Sequence, residues 1–148
     1  RGPEKASFSE ILVGTDFSES AKRAAMLSMS WFPKASHKIV HAYHVAFEGF
    51  LRMSGATEDR IESLRQEAFS IAKQQMQEQL RSLDPEEQID GVMLHGYPAI
   101  ALLREIDHSG VELAVIGSYC GSTLEDRPLG SVTRNLLYHA RSNVLFVP

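Results

Sequence analysis

The chain contains 148 residues, of which 43% are hydrophobic and 23% are charged, and its formal net charge is −4. These values are typical of one globular domain, and they argue against a disordered chain or one that needs a metal ion or a disulfide to fold. The mild negative charge argues against a nucleic-acid-binding protein, which normally carries a basic face, but backbone N–H groups can still bind a small anion.

Cys120 is the only cysteine, so no intramolecular disulfide can form, and a cytoplasmic, reducing compartment is expected. The longest apolar stretches are about six residues, against the roughly 20 that a membrane helix needs, so no membrane partner is expected. Residues 1–7 lack the apolar core of a signal peptide and are interpreted as a leader or an expression remnant.

Apolar residues recur along the chain with strand and helix periods in alternation. Short apolar runs such as residues 11–13 suit buried parallel strands, whereas the apolar residues of 57–82 recur at helical spacing. Strands that alternate with helices predict right-handed crossovers and a five-stranded, parallel, doubly wound α/β sheet of the Rossmann-like type. In chain order the predicted elements are strand 11–13, a helix from Ser18 or Ser20 to about 31, strand 38–45, loop 46–56, helix 57–82, strand 89–95, a helix after Pro98, strand 111–116, loop 117–129, a helix from Gly130-Ser131 to about 140, and strand 144–147.

Ligands of open parallel sheets bind beyond the carboxyl ends of the strands, near the point where the strand order reverses. Two predicted loops occupy such positions, residues 14–18 and the segment that begins at Gly117. Gly117 permits a turn that a Cβ atom would hinder, and Gly130-Ser131 opens a helix whose free N–H groups favour phosphate. The Ser131 hydroxyl fits two roles, a cap of that helix and a donor to a phosphate oxygen.

Asp16, at the end of the first predicted strand, also fits two roles. Its carboxylate can accept hydrogen bonds from a ribose hydroxyl, as acidic residues do in dinucleotide-binding folds. It can equally cap the helix that follows. The residues alone leave both roles open.

Other kinds of chemistry find little support in the sequence. His41 and His44 lie three apart in a predicted strand, so their side chains point to opposite faces, and no metal site is expected. Cys120 is either a small packed residue or a redox-sensitive thiol. Neither a Gly-x-Ser-x-Gly elbow nor a P-loop occurs, which favours a binding module over an enzyme and leaves a low-turnover ATPase as a weaker alternative.

Three segments resemble the universal stress protein (UspA) family. They are ILVGTDFS at residues 11–18, HGYPA at 95–99 with VELAVIG at 111–117, and the stretch from Gly117 to Val147. The resemblance covers nearly the whole chain, so the family domain is expected to span residues 8–148. It implies an adenine nucleotide alpha hydrolase-like fold and a role in the stress response.

ATP-binding members of that family carry Gly, two residues, Gly, nine residues, and then Gly with Ser or Thr. Counting back from Gly130-Ser131 places the first Gly on Gly117 but the second on Cys120, one residue before Gly121. The resemblance implies ATP, with which Mg²⁺ can bind, as the ligand. It implies that Asp16 meets the ribose or adenine end and that the main chain of Ala42 faces adenine. The phosphate contacts that it implies are Gly117, Cys120 or Gly121, Gly130, Ser131 and the backbone of Val132.

The apolar run at residues 144–147 is interpreted as an exposed edge strand or as an internal strand covered within one subunit. The family resemblance implies a homodimer that pairs Val144, Leu145, Phe146 and Val147 across two copies. The leading interpretation is therefore a stress-response domain that binds an adenine nucleotide. The alternative is a homodimeric protein-interaction module that binds no nucleotide, and it is favoured if Cys120 closes the phosphate loop.

Overall fold

The computed structural model describes residues 7–84, 86, 89–118 and 130–148. Within these residues the chain alternates between strands and helices, as the hydrophobic pattern predicts. The elements are β1 (Glu10–Gly14), α1 (Glu19–Trp31), β2 (Ser36–Tyr43), α2 (Glu48–Met53), α3 (Glu58–Leu83), β3 (Asp90–His95), α4 (Pro98–Ser109), β4 (Leu113–Gly117), α5 (Ser131–His139) and β5 (Asn143–Val147).

The sheet has five strands in the order β3-β2-β1-β4-β5, and every neighbouring pair is parallel. From β1 the chain adds β2 and β3 on one side, and then crosses to the other side of β1 to add β4 and β5. The strand order therefore reverses between β1 and β4, which confirms the doubly wound sheet. This reversal places the expected ligand crevice at the carboxyl ends of β1 and β4.

Helices cover both faces of the sheet, and the side chains of β1 pack against the helices on both faces. Ile11 and Val13 pack against α1 and α3 on one face, whereas Leu12 packs against α4 and α5 on the other. All three side chains are fully buried. A continuous apolar run, rather than an alternating one, is therefore what a central strand of this sheet requires.

Local signals in the sequence define the ends of several helices. Ser18, and not Ser20, caps α1, because its Oγ accepts a hydrogen bond from Ala21 N at 3.2 Å. Thr57 caps α3 in the same way. α4 begins at Pro98, which has no N–H to lose. Among the helices that the structure describes, none is long and apolar enough to cross a membrane.

The prediction of a loop over residues 46–56 was wrong for α2. Gly49 and the surrounding aromatic residues suggested irregular structure, but the segment forms six residues of helix. Ion pairs stabilise it: Glu48 pairs with Arg52 at 3.1 Å within the helix and with Arg65 on α3. The Arg65 guanidinium, with Arg52, lowers the pKa of Glu48. The helix therefore forms where the local pattern is weak, and it is joined to α3 by an ion pair.

Candidate functional site

The sheet has a step at the carboxyl end of its central strand. The register of β1 with β2 ends at the pair Gly14 and Val40, whereas β2 stays paired with β3 as far as Tyr43. Thr15 N still donates to Val40 O at 2.9 Å, and the chain then turns away towards α1. Three residues of β2 therefore extend past the end of β1, beside the switch point where ligands of such sheets bind.

Ala42 lies in this extended part of β2. Its side chain is buried, and in register it pairs with Leu94 of β3. Its opposite side faces the place that β1 has left. The position suits a main-chain contact with a flat base, and that contact stays a prediction.

Thr15 is the centre of the turn that follows β1. Its carbonyl oxygen accepts a hydrogen bond from His41 Nδ1 at 2.8 Å, and because a carbonyl can only accept, Nδ1 must carry the proton. Its hydroxyl accepts from Phe17 N at 3.0 Å and donates to Gln79 Oε1 at 2.8 Å. Thr15 is thereby tied to β2 and to α3 at the same time.

Phe17 adopts an unusual backbone conformation in this turn, with φ of 65°. A bulky side chain rarely occupies the left-handed region, because its Cβ crowds the following carbonyl oxygen. The Phe17 ring packs on the ring of His41, with centroids 4.2 Å apart and planes at 33°. Burial lowers the pKa of His41, whereas its hydrogen bond to Thr15 and the charge of Asp16 act in the opposite direction.

Asp16 lies between Thr15 and Phe17 in the chain and is exposed to solvent. Its Oδ1 accepts a hydrogen bond from Ser18 N at 3.0 Å, which closes the turn before α1. In the described part of the chain no residue donates to Oδ2. The cap of α1 is Ser18, so the alternative that Asp16 caps this helix is wrong. The ribose contact of Asp16 stays a prediction.

Gly117 is required for a reason that differs from the turn predicted for it. A Cβ atom placed there would lie 2.5 Å from Ser20 O and 2.7 Å from Ala21 N, in the first turn of α1. Its φ lies outside the left-handed region. The glycine therefore lets α1 pack directly on the end of β4, because both clashing atoms belong to the backbone and cannot move aside.

The start of α5 carries no side-chain cap. Gly130 is the N-cap residue and Ser131 is the first residue of the helix, so the prediction that Ser131 caps α5 is wrong. The Ser131 side chain is exposed, whereas Val132 packs against the core on the α4 and α5 face. Because α5 leads back towards the start of β5, its N-terminus lies on the carboxyl side of the sheet. Its role in phosphate binding stays a prediction.

Cys120 and Gly121 lie outside the described residues, together with the rest of segment 119–129. The phosphate contact at these two positions therefore stays a prediction, and the redox role of Cys120 stays a hypothesis. The structure describes both ends of the segment. Ser118 is buried and donates its N–H to Val147 O at 2.7 Å.

His41 on β2 and His44 just after it have separate partners. His41 packs on Phe17, whereas His44 is exposed and its ring lies 4.9 Å from that of Tyr97. Over residues 7–84, 86, 89–118 and 130–148 there is no group of three or more His, Cys, Asp or Glu residues that could hold a metal ion.

Two residues that shape the site are missing from the sequence-based predictions: His41 as a structural partner, and Gln79. Gln79 is only 8% exposed, and its Nε2 has no hydrogen-bond partner in the described chain. Its spacing of three from Met76 and seven from Ala72 places it on the buried face of α3. A polar residue at a core position of the helical pattern is the signal that could have identified it.

β5 is at the edge of the sheet, which confirms the edge-strand interpretation over the internal one. Val147 is buried, and the side chains of Val144, Leu145 and Phe146 are half-buried. One backbone edge of the strand faces away from β4.

The Universal stress protein family model matches residues 7–148 of this chain. Universal stress protein MJ0577 from Methanocaldococcus jannaschii is 25% identical over 154 residues, which cover 95% of this chain and 94% of the relative. The solved structure of MJ0577 superposes with a TM-score of 0.76 at 21% identity and covers 96% of both chains.

Two solved structures of similar proteins contain adenine nucleotides. A universal stress protein in complex with cAMP has a TM-score of 0.58 and 24% identity, covering 97% of this chain and 98% of the other. A protein of the same family from Arabidopsis thaliana with AMP bound has a TM-score of 0.63 and 14% identity, covering 94% of this chain and 90% of the other. At these identities the likeness shows the shared fold.

Proposed function

This chain belongs to the universal stress protein family, and we propose that it is a stress-response protein that binds an adenine nucleotide beside the carboxyl ends of β1 and β4. The observation that carries the proposal is the step in the sheet, where β2 continues past β1 and leaves main-chain positions around Ala42 beside the switch point. The nucleotides bound to two structures of similar fold, cAMP and AMP, support the same ligand class.

Each part of a nucleotide has a suitable partner at this end of the sheet. The main chain of Ala42 offers hydrogen-bonding groups to adenine, and the exposed carboxylate of Asp16 offers an acceptor to the ribose hydroxyls. The uncapped N-terminus of α5 favours phosphate, because its free N–H groups and the helix dipole both attract negative charge. ATP, with Mg²⁺ on its phosphates, is the ligand that we propose, and the cytoplasm, where a lone cysteine stays reduced, is the proposed location.

We propose binding rather than turnover as the function. The titratable groups of the turn are engaged in holding it, since Asp16 Oδ1 accepts from Ser18 N and His41 Nδ1 donates to Thr15 O. Phosphate release measured from ATP in the presence of the purified protein tests this directly. A steady hydrolysis rate that disappears in Asp16→Asn would replace the binding role with a low-turnover ATPase.

The first test is to denature the purified protein and identify the released small molecules by mass spectrometry, followed by calorimetric titration with ATP. We expect released AMP or ATP, or a micromolar dissociation constant. No released nucleotide and no binding at millimolar ATP would contradict the proposal and leave the interaction module in its place.

A matched pair of variants tests whether the phosphates bind at the start of α5. No described atom lies within 4 Å of a Cβ added at Gly130, so a side chain there meets no clash with the described residues. Gly130→Asp and Gly130→Asn both supply a favoured N-cap, and they differ only in charge. We expect Gly130→Asp to weaken ATP binding at least about tenfold relative to Gly130→Asn, because the carboxylate repels phosphate. Equal affinities in the two variants would place the phosphates elsewhere.

We also propose that β5 pairs with the β5 strand of a second copy, because an apolar edge strand is a ready template for pairing. Asn143 N donates to Glu112 O and Val147 O accepts from Ser118 N, so the alternate residues 143, 145 and 147 direct their backbone groups to β4. Val144 therefore directs its N–H to the free edge.

Sedimentation analysis of Val144→Pro tests the dimer. Proline at this position removes the outward N–H donor and keeps the ladder to β4, so we expect a monomer. Val144→Thr retains the N–H and the β-branched shape, and we expect it to remain a dimer. A wild-type protein that sediments as a monomer at micromolar concentration would contradict the proposed pairing.

A further inference from the structure

His41 contacts the residues on both sides of Asp16. Its Nδ1 donates to the carbonyl of Thr15 at 2.8 Å, and its ring packs on the ring of Phe17 at 4.2 Å. Thr15 and Phe17 are the chain neighbours of Asp16, so one side chain from β2 contacts the turn on both sides of this carboxylate. The two hydrogen bonds of the Thr15 hydroxyl close the same turn from the side of α3.

The backbone of this turn needs such support. Phe17 has a φ of 65°, a conformation that bulky residues rarely adopt and that persists where the surroundings hold it. The turn leads directly into α1, and the first residues of that helix lie against Gly117 of β4. A shift of Thr15 or Phe17 would therefore turn the Asp16 carboxylate away from its present direction.

The Asp16 carboxylate has one oxygen engaged and one available. Oδ1 accepts from Ser18 N at 3.0 Å, which fixes the rotation of the carboxylate. Oδ2 accepts no hydrogen bond from any residue in the described ranges, and the side chain is exposed. A carboxylate oxygen held in a fixed direction and exposed to solvent is suited to bind vicinal hydroxyl groups.

We propose that His41 is a positioning residue for the ribose: it holds the turn through Thr15 and Phe17 so that Asp16 Oδ2 meets the ribose hydroxyls, and the site thereby selects ribonucleotides over nucleotides that lack these hydroxyls. This inference rests on the proposed adenine-nucleotide site. Because Thr15 O can only accept, the hydrogen bond requires a proton on His41 Nδ1. The neutral ring with its proton on Nδ1 meets this condition, and so does the positively charged ring.

The test compares ATP with 2′,3′-dideoxy-ATP, which keeps the base and the phosphates but lacks both ribose hydroxyls. We expect the wild-type protein to prefer ATP by about tenfold or more, the range of a hydrogen bond to a charged group. His41→Phe keeps an aromatic ring against Phe17 but has no donor for Thr15 O. We expect it to bring the ratio of the two affinities close to one, mainly by weakening ATP.

His41→Asn is the conservative control. Its side-chain amide carries an N–H donor at about the distance from Cβ at which Nδ1 lies, so it can still bind Thr15 O. We expect it to keep most of the preference for ATP. Asp16→Asn should lose the preference, and adding His41→Phe to it should change the ratio no further, because both substitutions act through the same carboxylate.

Several outcomes would overturn the inference. A His41→Phe variant that weakens both nucleotides equally would show a general loosening of the site, and a variant that keeps the wild-type ratio would show no role in selection. Loss of the preference in His41→Asn to the same extent as in His41→Phe would remove the hydrogen bond from the explanation. A wild-type protein that binds neither nucleotide refutes the nucleotide site itself, whereas equal binding of both refutes only the ribose selection.

A measurement on the unaltered protein needs no variant to fold. The nitrogen chemical shifts of the His41 ring in a ¹⁵N-labelled sample at neutral pH distinguish a proton on Nδ1 from a proton on Nε2 alone. We expect Nδ1 to be protonated. A ring protonated only on Nε2 cannot donate to Thr15 O, and would overturn the inference whatever the binding data.

Discussion

The turn after β1 and the start of α5 both lead into the carboxyl end of the sheet, but they are built in opposite ways. In the turn, Thr15 binds β2 and α3 at once, and Ser18 caps the next helix with its hydroxyl. At α5, the N-cap residue Gly130 provides no side-chain cap, and no described atom lies within 4 Å of a Cβ added there. Polar groups that are already satisfied can orient a ligand group, whereas unsatisfied N–H groups can bind one.

Gly117 and Gly130 belong to one predicted motif but have different surroundings. A Cβ atom at Gly117 would meet the backbone of α1, whereas no described atom lies within 4 Å of a Cβ added at Gly130. We expect Gly117→Ala to lower the free energy of unfolding by about 2–4 kcal/mol, because backbone atoms must move to admit the methyl group. Urea denaturation measures this loss. Gly130→Ala is the control, with an expected change within about 1 kcal/mol, and equal losses in the two variants would remove the distinction.

Removal of the Thr15 hydroxyl tests how firmly the turn is held. Thr15→Val keeps the shape but leaves Phe17 N and the buried amide of Gln79 without their partner. We expect a loss of about 1–3 kcal/mol in the free energy of unfolding, the cost of unpaired buried groups. Adding Gln79→Leu should recover part of it in the same denaturation experiment. If the double variant loses as much stability relative to Thr15→Val as Gln79→Leu loses relative to the wild type, the two residues are not coupled.

The caps of the two helices should respond differently to substitution. Ser18→Ala removes the side-chain acceptor of Ala21 N and should cost about 1 kcal/mol in the free energy of unfolding. Gly130→Asn adds a cap where none exists, so we expect it to be neutral or to stabilise by a few tenths of a kcal/mol. Thermal denaturation of both variants gives the comparison. A destabilised Gly130→Asn variant would show that other groups already occupy the space at the N-terminus of α5.

The smallest expected effect is the pH dependence that His41 confers on the turn. Its pKa in the folded protein is lowered from the ordinary 6.5, chiefly by burial. The unfolded chain therefore binds a proton more readily than the folded one, and stability falls as the pH decreases through 6.5 towards the folded pKa. We expect this loss between pH 7.5 and pH 5.5 to be smaller in His41→Phe. The loss in the wild type is modest, because water still reaches part of the ring, and identical pH profiles would show that His41 contributes none of it.

Some predictions from the sequence needed only local chemistry, and these are confirmed. The apolar run at residues 11–13 defines a buried strand because both faces of the sheet are covered. Pro98 marks a helix start because its effect is limited to the adjacent turn, and one of the two predicted caps of α1, Ser18, is the cap. The loop predicted over residues 46–56 is wrong for α2, which is joined to another helix by an ion pair that no local pattern shows.

The sequence by itself determined the alternation of strands and helices, the approximate starts of several helices, and the family to which the chain belongs, because these depend on periodicity and on short motifs. The tertiary structure decided why Gly117 must be glycine, which residues hold Asp16, and that β5 is an edge strand. Each of these depends on residues far apart in the chain that the fold brings within a few ångströms. His41 and Gln79 meet Thr15 from 26 and 64 residues away, a distance over which no local pattern carries information.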